Sequence, residues 1–419
     1  MLRKIKKTLS KFGPGIITGA SDDDPSGIAT YSMAGAAAGY GLLWTALFTF
    51  PLMSTIQEMC ARIGVVTQKG LAGNIRTHFK SKSFLYFLAF LIIVANTINI
   101  GADLAGMAAA TKLLLPINTL LIAIVMTALI IILMVRFPYR VIASNLKWLT
   151  FALFAYVASA LVTKQDWANI IFNTFVPTIG FNKQSITLLV AILGTTISPY
   201  LFFWQTSEEV EEIKEIEKEK HKNIVVTKHE LKQVAEDVDV GMFFSNLVMF
   251  AIIATTASTL HRFGVSEIET ASDAAKALEP IAGKAASLLF TLGIVGTGML
   301  AIPVLAGSAA YAVSEIFGWQ EGLNKSFRQA KPFYAIIIFS TLIGFLMNFV
   351  QINPFKALFY TAVIYGLISP ILILFILLIA NNENVMGKYK NKMTTNILGI
   401  LTLIIMTAAA VIFLIVTFS

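Results

Sequence analysis

The stretch Ser21-Asp22-Asp23-Asp24-Pro25 places three consecutive carboxylates before a proline, inside a segment that is otherwise apolar. A carboxylate away from water is costly unless it is paired, and an ionisable residue within a membrane segment points to function. Proline removes a backbone donor and clashes with the preceding turn, so a helix unwinds there. Unwinding frees carbonyl oxygens beside the carboxylates, which together form a setting for a cation. Asp24, directly before the proline, is the expected charged ligand. Asp22 and Asp23 are expected to line a wet vestibule or polar path that steers cations. A second stretch, Thr195-Thr196-Ile197-Ser198-Pro199, repeats the pattern, and Pro25 and Pro199 lie 174 positions apart. Two discontinuous helices at matching places in two halves of a chain are the strongest sequence pointer to a transporter site.

The elements that hold these breaks are membrane spans. Of 419 residues 56% are hydrophobic and only 13% charged, with mean hydropathy +0.75, whereas soluble domains carry about a quarter charged. Apolar runs near the length of a membrane helix recur from end to end. Eleven spans are predicted, at 13–38, 42–63, 84–111, 117–135, 148–163, 185–207, 241–260, 285–313, 333–350, 355–380 and 395–418. With the N-terminus in the cytoplasm, 25 of the 32 Lys and Arg fall on the cytoplasmic side, as the positive-inside rule requires. The C-terminus is then outside. The net charge of +8 is thus a matter of topology, which argues against nucleic acid as a partner. The mixed-sign run Glu208 to Asp239 is read as a solvated helix joining spans 6 and 7. The four histidines fall between predicted spans, the lone Cys60 has no partner for a disulfide, and no nucleophile–base pair is visible.

These residues resemble the NRAMP family of divalent-metal transporters, and the resemblance covers almost the whole chain. The family motif Asp-Pro-Gly-Asn reads here Asp24-Pro25-Ser26-Gly27, and Ala-x-x-Met-Pro-His reads Thr195-Thr196-Ile197-Ser198-Pro199-Tyr200. Further echoes are the Gly-Pro-Gly-Ile before the first break and Ala-Asp-Leu-Ala-Gly around Asp103. The resemblance implies an all-α membrane protein with a LeuT-like five-plus-five inverted repeat, discontinuous helices 1 and 6, and an eleventh span. Repeat one is 13–163, repeat two 185–380 and the extra span 395–418. The departures lie at the site. Gly27 replaces the family's asparagine, Ser198 its methionine and Tyr200 its histidine. Gln205 falls near the second histidine of that helix and Ala362 near a glutamine of span 10. Gly106 replaces a glutamate, and span 9 lacks an intramembrane arginine. Without methionine the ligands are all oxygens, which suit Mg²⁺, Ca²⁺ and Mn²⁺. A roomier site suits Mg²⁺, which dehydrates reluctantly. The pattern resembles the NRAMP-related magnesium transporters.

The expectation is therefore a divalent cation transporter, with Mg²⁺ first and a Mn²⁺ or broad-range importer as the alternative. Its metal ligands are Asp24, backbone carbonyls near Asp24, Gly27 and Thr195, and the Ser198 hydroxyl. Asp103 lies on a possible polar path, and Glu208, Glu209 and Glu212 on a possible acidic inner vestibule. With no histidine in a span, tight proton coupling is not expected. A sodium-coupled amino-acid or amine symporter on the same scaffold is the rival reading, and an enzyme is not expected. The expected setting is a bacterial inner membrane, with the lipid bilayer and the transported ion as partners and no resident cofactor. Oligomeric state stays open, a monomer included.

Overall fold

The computed structural model describes residues 13–418 except 80, 139–140, 142–147, 149–150, 164, 179, 181, 221–225 and 351. Among the described residues every regular element is helical. Span 1 is two half-helices, 1a (Pro14–Asp22) and 1b (Pro25–Ala38), and span 6 is likewise 6a (Lys183–Thr196) and 6b (Pro199–Lys220). Span 2 is Leu43–Thr67, span 3 Lys82–Lys112, span 4 Thr119–Arg136, span 7 Lys228–Thr259 and span 8 Ala286–Phe317. Spans 9, 10 and 11 are Lys331–Met347, Pro354–Asn381 and Met393–Phe418. Of span 5, a turn at Phe151–Leu153 and a helix at Phe154–Val162 are described. Nine helical stretches among the described residues are long and apolar enough to cross a membrane, with 1b and span 2 joined as one stretch.

Burial sorts the spans into an inner bundle and an outer ring. The apolar window of span 6 is 89% buried and that of span 8 is 78% buried, against 22% for span 11 and 28% for span 4. Outer spans carry exposed Leu121, Val125, Ile132, Ile400, Ile404 and Ile415, the surface a lipid-facing helix must present. Eleven of the fourteen residues of 1b are buried as well, so both breaks lie in the protein interior, where unwound backbone is tolerated.

The two breaks are built alike. Half-helix 1a ends at Asp23 (φ −82°, ψ 52°) and 6a at Ile197 (φ −109°, ψ 63°). Each ending is followed after one residue by the proline that starts the next half-helix, where a missing N–H costs nothing.

Half-helix 1a is fixed at its far end by span 7. Asp237 accepts hydrogen bonds from the amides of Gly13 (3.0 Å) and Gly15 (2.7 Å), a carboxylate on the free N–H groups of a helix start. The packing beside it is backbone on backbone. A Cβ on Gly19 would overlap the Gly241 carbonyl oxygen, so only glycine allows this approach.

The run Glu208 to Asp239 differs from its expected form. It is not one connecting helix but the ends of two: 6b continues to Lys220, and span 7 begins at Lys228. Thr227 and Glu230 form a reciprocal capping box that fixes this start, a stop-and-start signal inside what reads as a continuous charged pattern. A helix at Trp167–Phe175, capped by Asp166, also lies between spans 5 and 6.

Candidate metal site at the two helix breaks

Asp24 is the N-cap of 1b. Its Oδ1 accepts from the Gly27 amide (2.7 Å) and the Ser26 hydroxyl (2.6 Å), and its Oδ2 accepts from Asn99 Nδ2 (2.9 Å) on span 3. Capping alone accounts for a short polar residue here, and serine or asparagine would cap equally well. It does not account for a full charge that is 1% exposed in a membrane interior. The three donors fix the carboxylate in one place and leave one lone-pair site, on Oδ2, for a cation.

The breaks meet at Gly27. A Cβ there would lie 3.2 Å from Thr195 Oγ1 and 3.4 Å from the Asp22 carbonyl oxygen, so a larger side chain would fill the space between the half-helices. The freed carbonyls are largely answered by side chains. Ser198 donates to the carbonyls of Thr195 (2.6 Å) and Gly194 (3.2 Å). Ser369 on span 10 donates to the Ile197 carbonyl (2.8 Å), and Tyr200 crosses from 6b to the Ser21 carbonyl (2.9 Å) at the end of 1a. Thus Thr195 and Gly27 do come together beside Asp24, while the Ser198 hydroxyl proton is committed to its own helix.

The other expected acids are placed differently. Asp22 and Asp23 do not line an open vestibule: they are 0% and 3% exposed. Ser245 of span 7 donates to Asp22 Oδ2 (2.6 Å) and lies 3.4 Å from Asp23 Oδ1. Asp22 Oδ1 and both Asp103 oxygens are buried with no hydrogen-bond partner. Among the described residues no basic side chain forms a salt bridge with Asp22, Asp23, Asp24 or Asp103. Nor do three acidic, histidine or cysteine side chains converge on a point that could hold a metal. The geometry therefore describes one carboxylate with neutral oxygens, not a cage of three. Glu208 is half-buried and Glu209 buried. A polar line runs from Thr18 of 1a to Gln205 Oε1 (2.5 Å), and from Gln205 Nε2 to Glu209 (2.8 Å). Glu209, Glu212, Glu230 and Asp237 then border a cavity of about 210 Å³ beside Gly13.

Three contributors escape the sequence reading. Asn99 is one helical turn before Asp103, and that spacing is the signal for it. Tyr200 stands out only as a departure from the family pattern. Asp237 lies in the charged run read as solvated. Ala362, near the family's glutamine, offers no side-chain donor, and its carbonyl packs against Gly194.

A family description, natural resistance-associated macrophage protein-like (Nramp), matches residues 15–416. The chain belongs to the Nramp family. It is 27% identical over 411 residues to a divalent metal cation transporter, MntH, of Yersinia pestis, covering 96% of this chain and 94% of that protein. It is 26% identical over 402 residues to the MntH of Klebsiella pneumoniae, covering 95% and 91%. The solved manganese transporter of Eremococcus coleocola superposes with a TM-score of 0.76 at 19% identity, over 97% of this chain and 86% of that one. A nucleobase-cation-symport-1 transporter shares the fold more loosely, with a TM-score of 0.52. The chain is thus a multi-pass membrane protein with the inverted-repeat transporter fold, and the Nramp assignment makes it a transporter and not an enzyme.

Proposed function

We propose that this protein carries divalent metal cations across the membrane by alternating access, with the ion held where the two broken helices meet. The observation that carries the reading is Asp24: a buried carboxyl group at the mouth of 1b, oriented by three donors and facing the Gly27–Thr195 junction. Half-helix 1a, hinged at Asp23 and fastened at Asp237, is the element whose swing would open one side. The proposed repeats are 13–163 and 185–380, with 395–418 outside them. The N-terminus is assigned to the cytoplasmic side on charge alone, and the bacterial MntH relatives support a bacterial inner membrane.

The ion follows from the donor set and the relatives together. Names of the relatives speak of manganese and of divalent metals in general, which supports a Mn²⁺ or broad-range carrier. The donors near Asp24 are oxygens only, with Ser198 and Tyr200 in place of sulfur and imidazole, and such oxygens suit Mg²⁺ as well as Mn²⁺. The substrate range accordingly includes both, and Mg²⁺ preference is the finer part of the proposal. Transport runs without a tightly coupled proton, since the half-helix carrying Tyr200 and Gln205 offers no imidazole at those positions. The experiment is uptake by proteoliposomes of Mg²⁺, Mn²⁺, Ca²⁺ and Fe²⁺, read with a metal dye and a pH dye together. Mn²⁺ and Mg²⁺ uptake with no fixed-ratio acidification supports the reading. No divalent flux at all would refute it, and acidification at a fixed stoichiometry would refute its uncoupled part.

A further inference from the structure

Asn99 is fully buried on span 3 and touches Asp24 through its amide nitrogen. Its Oδ1 is also buried and has no hydrogen-bond partner. The neighbouring Tyr365 hydroxyl donates instead to Asn96 Oδ1 at 3.0 Å. A buried acceptor left without a donor costs about 1–3 kcal/mol, and buried polar groups without partners are rare in folded proteins. The contact with Asp24 explains the nitrogen but not the idle oxygen. Beside a bare carboxylate an amide must turn its NH₂ towards the anion and its oxygen away. Once a cation is bound to Asp24, the preference reverses, and a half-turn about the terminal torsion brings Oδ1 to the ion.

We propose that Asn99 is a direct ligand of the transported cation, supplying a neutral oxygen from span 3 through Oδ1. Position 27 has no side chain, and the Ser198 hydroxyl gives its proton to the Thr195 carbonyl, which leaves its oxygen lone pair as one neutral donor. Asn99 Oδ1 adds another from a third helix. An amide oxygen is a hard donor, so Asn99 favours Mg²⁺ and Mn²⁺ over soft ions. Its switch from Asp24 to the ion also couples span 3 to occupancy of the site. This inference rests on the reading that Asp24 holds the ion.

The test is Asn99→Cys beside Asn99→Ala in the reconstituted full-length protein, with initial uptake of Mn²⁺ and Cd²⁺ measured for each. A thiolate in the ligand position raises the Cd²⁺ to Mn²⁺ rate ratio by about tenfold or more over wild type, whereas alanine does not. A residue that only orients Asp24 lowers both ions by one factor in both variants, and an unchanged ratio in Asn99→Cys overturns the proposal. The ratio does not depend on the amount of active protein. If Asn99→Cys is not recovered folded, Asn99→Asp decides. A second carboxylate on the ion lowers the half-saturating Mn²⁺ concentration, while loss of a mere donor raises it, which would overturn the ligand role. Asp24→Asn is run in parallel. If it still transports, the Asp24 reading itself fails. If it is silent while the Asn99→Cys ratio stays at the wild-type value, only the role of Asn99 fails.

Discussion

Asp24→Asn separates the charge at the first break from its capping role. Asparagine caps helix starts about as well as aspartate, so the oxygen of the substituted amide keeps the bonds from the Gly27 amide and the Ser26 hydroxyl. The nitrogen of that amide then faces the side chain of Asn99, and a half-turn of Asn99 restores a donor–acceptor pair. The folded state is expected to change by about 1 kcal/mol or less. The ion loses a whole charge. At an effective dielectric near 20, a unit pair about 4 Å apart is worth roughly 4 kcal/mol, and a divalent ion doubles that. If retained water screens half of it, about 4 kcal/mol remains, or roughly a thousandfold in affinity. The assay pairs titration calorimetry of Mn²⁺ binding with a thermal melt of the same sample. Binding lost at an unchanged melting temperature is the expected result. Binding within about threefold of wild type would refute the assignment of Asp24, and a variant that no longer folds would refute the division into cap and charge.

Asp237→Ala removes the two bonds on the start of 1a, each worth about 1.5–3 kcal/mol as a hydrogen bond to a charged group. Spin labels on 1a and span 7 should then report a longer, broader distance distribution, and an unchanged one would show that 1a is not latched there. Gly27→Asn with Ser198→Met fills the junction and adds sulfur, so competition uptake should move towards Mn²⁺ and Cd²⁺ and away from Mg²⁺. An unchanged order of ions would count against the junction as the site. Glu321 follows span 8 and borders a cavity of about 860 Å³ with Glu211, Lys214 and Glu315. Burial, then the Glu315 charge, pushes its carboxyl up from 4.5 to about 9. The folded protein thus holds a proton that the unfolded chain releases, so this group makes stability fall as pH rises from about 4.5 towards about 9. Glu321→Gln should flatten that fall in melts taken across the interval, and a parallel decline in wild type and variant would refute the assignment.

The fold was legible because the membrane makes its demands in runs of about twenty residues and because proline marks each break by removing a donor. Pro25 and Pro199 therefore locate both half-helix junctions from the sequence alone. The charged stretch from Glu208 was harder to read. Mixed charges at helical spacing look the same in one long solvated helix as in two helix ends, and only the Thr227–Glu230 capping box separates the cases. At the site, Asp24 was legible because a charge in an apolar run is conspicuous. Asn99 was not, because a neutral amide in span 3 is compatible with many structural roles until Asp24 is seen beside it. Asp22 and Asp23 read as water-facing because acids usually are. Their burial against Ser245 is a tertiary fact, set by how span 7 packs on 1a through Gly19 and Gly241.

The proposed transport depends on a divalent cation binding to Asp24 where the two broken helices meet. Anomalous scattering from Mn²⁺-soaked crystals of the full-length protein tests it most directly. The expected result is a peak within about 2.5 Å of an Asp24 carboxylate oxygen, bordered by Gly27 and Thr195, with Asn99 turned to present Oδ1. A strong peak elsewhere, with the Asp24 carboxylate still bonded only to Ser26, Gly27 and Asn99, would contradict it.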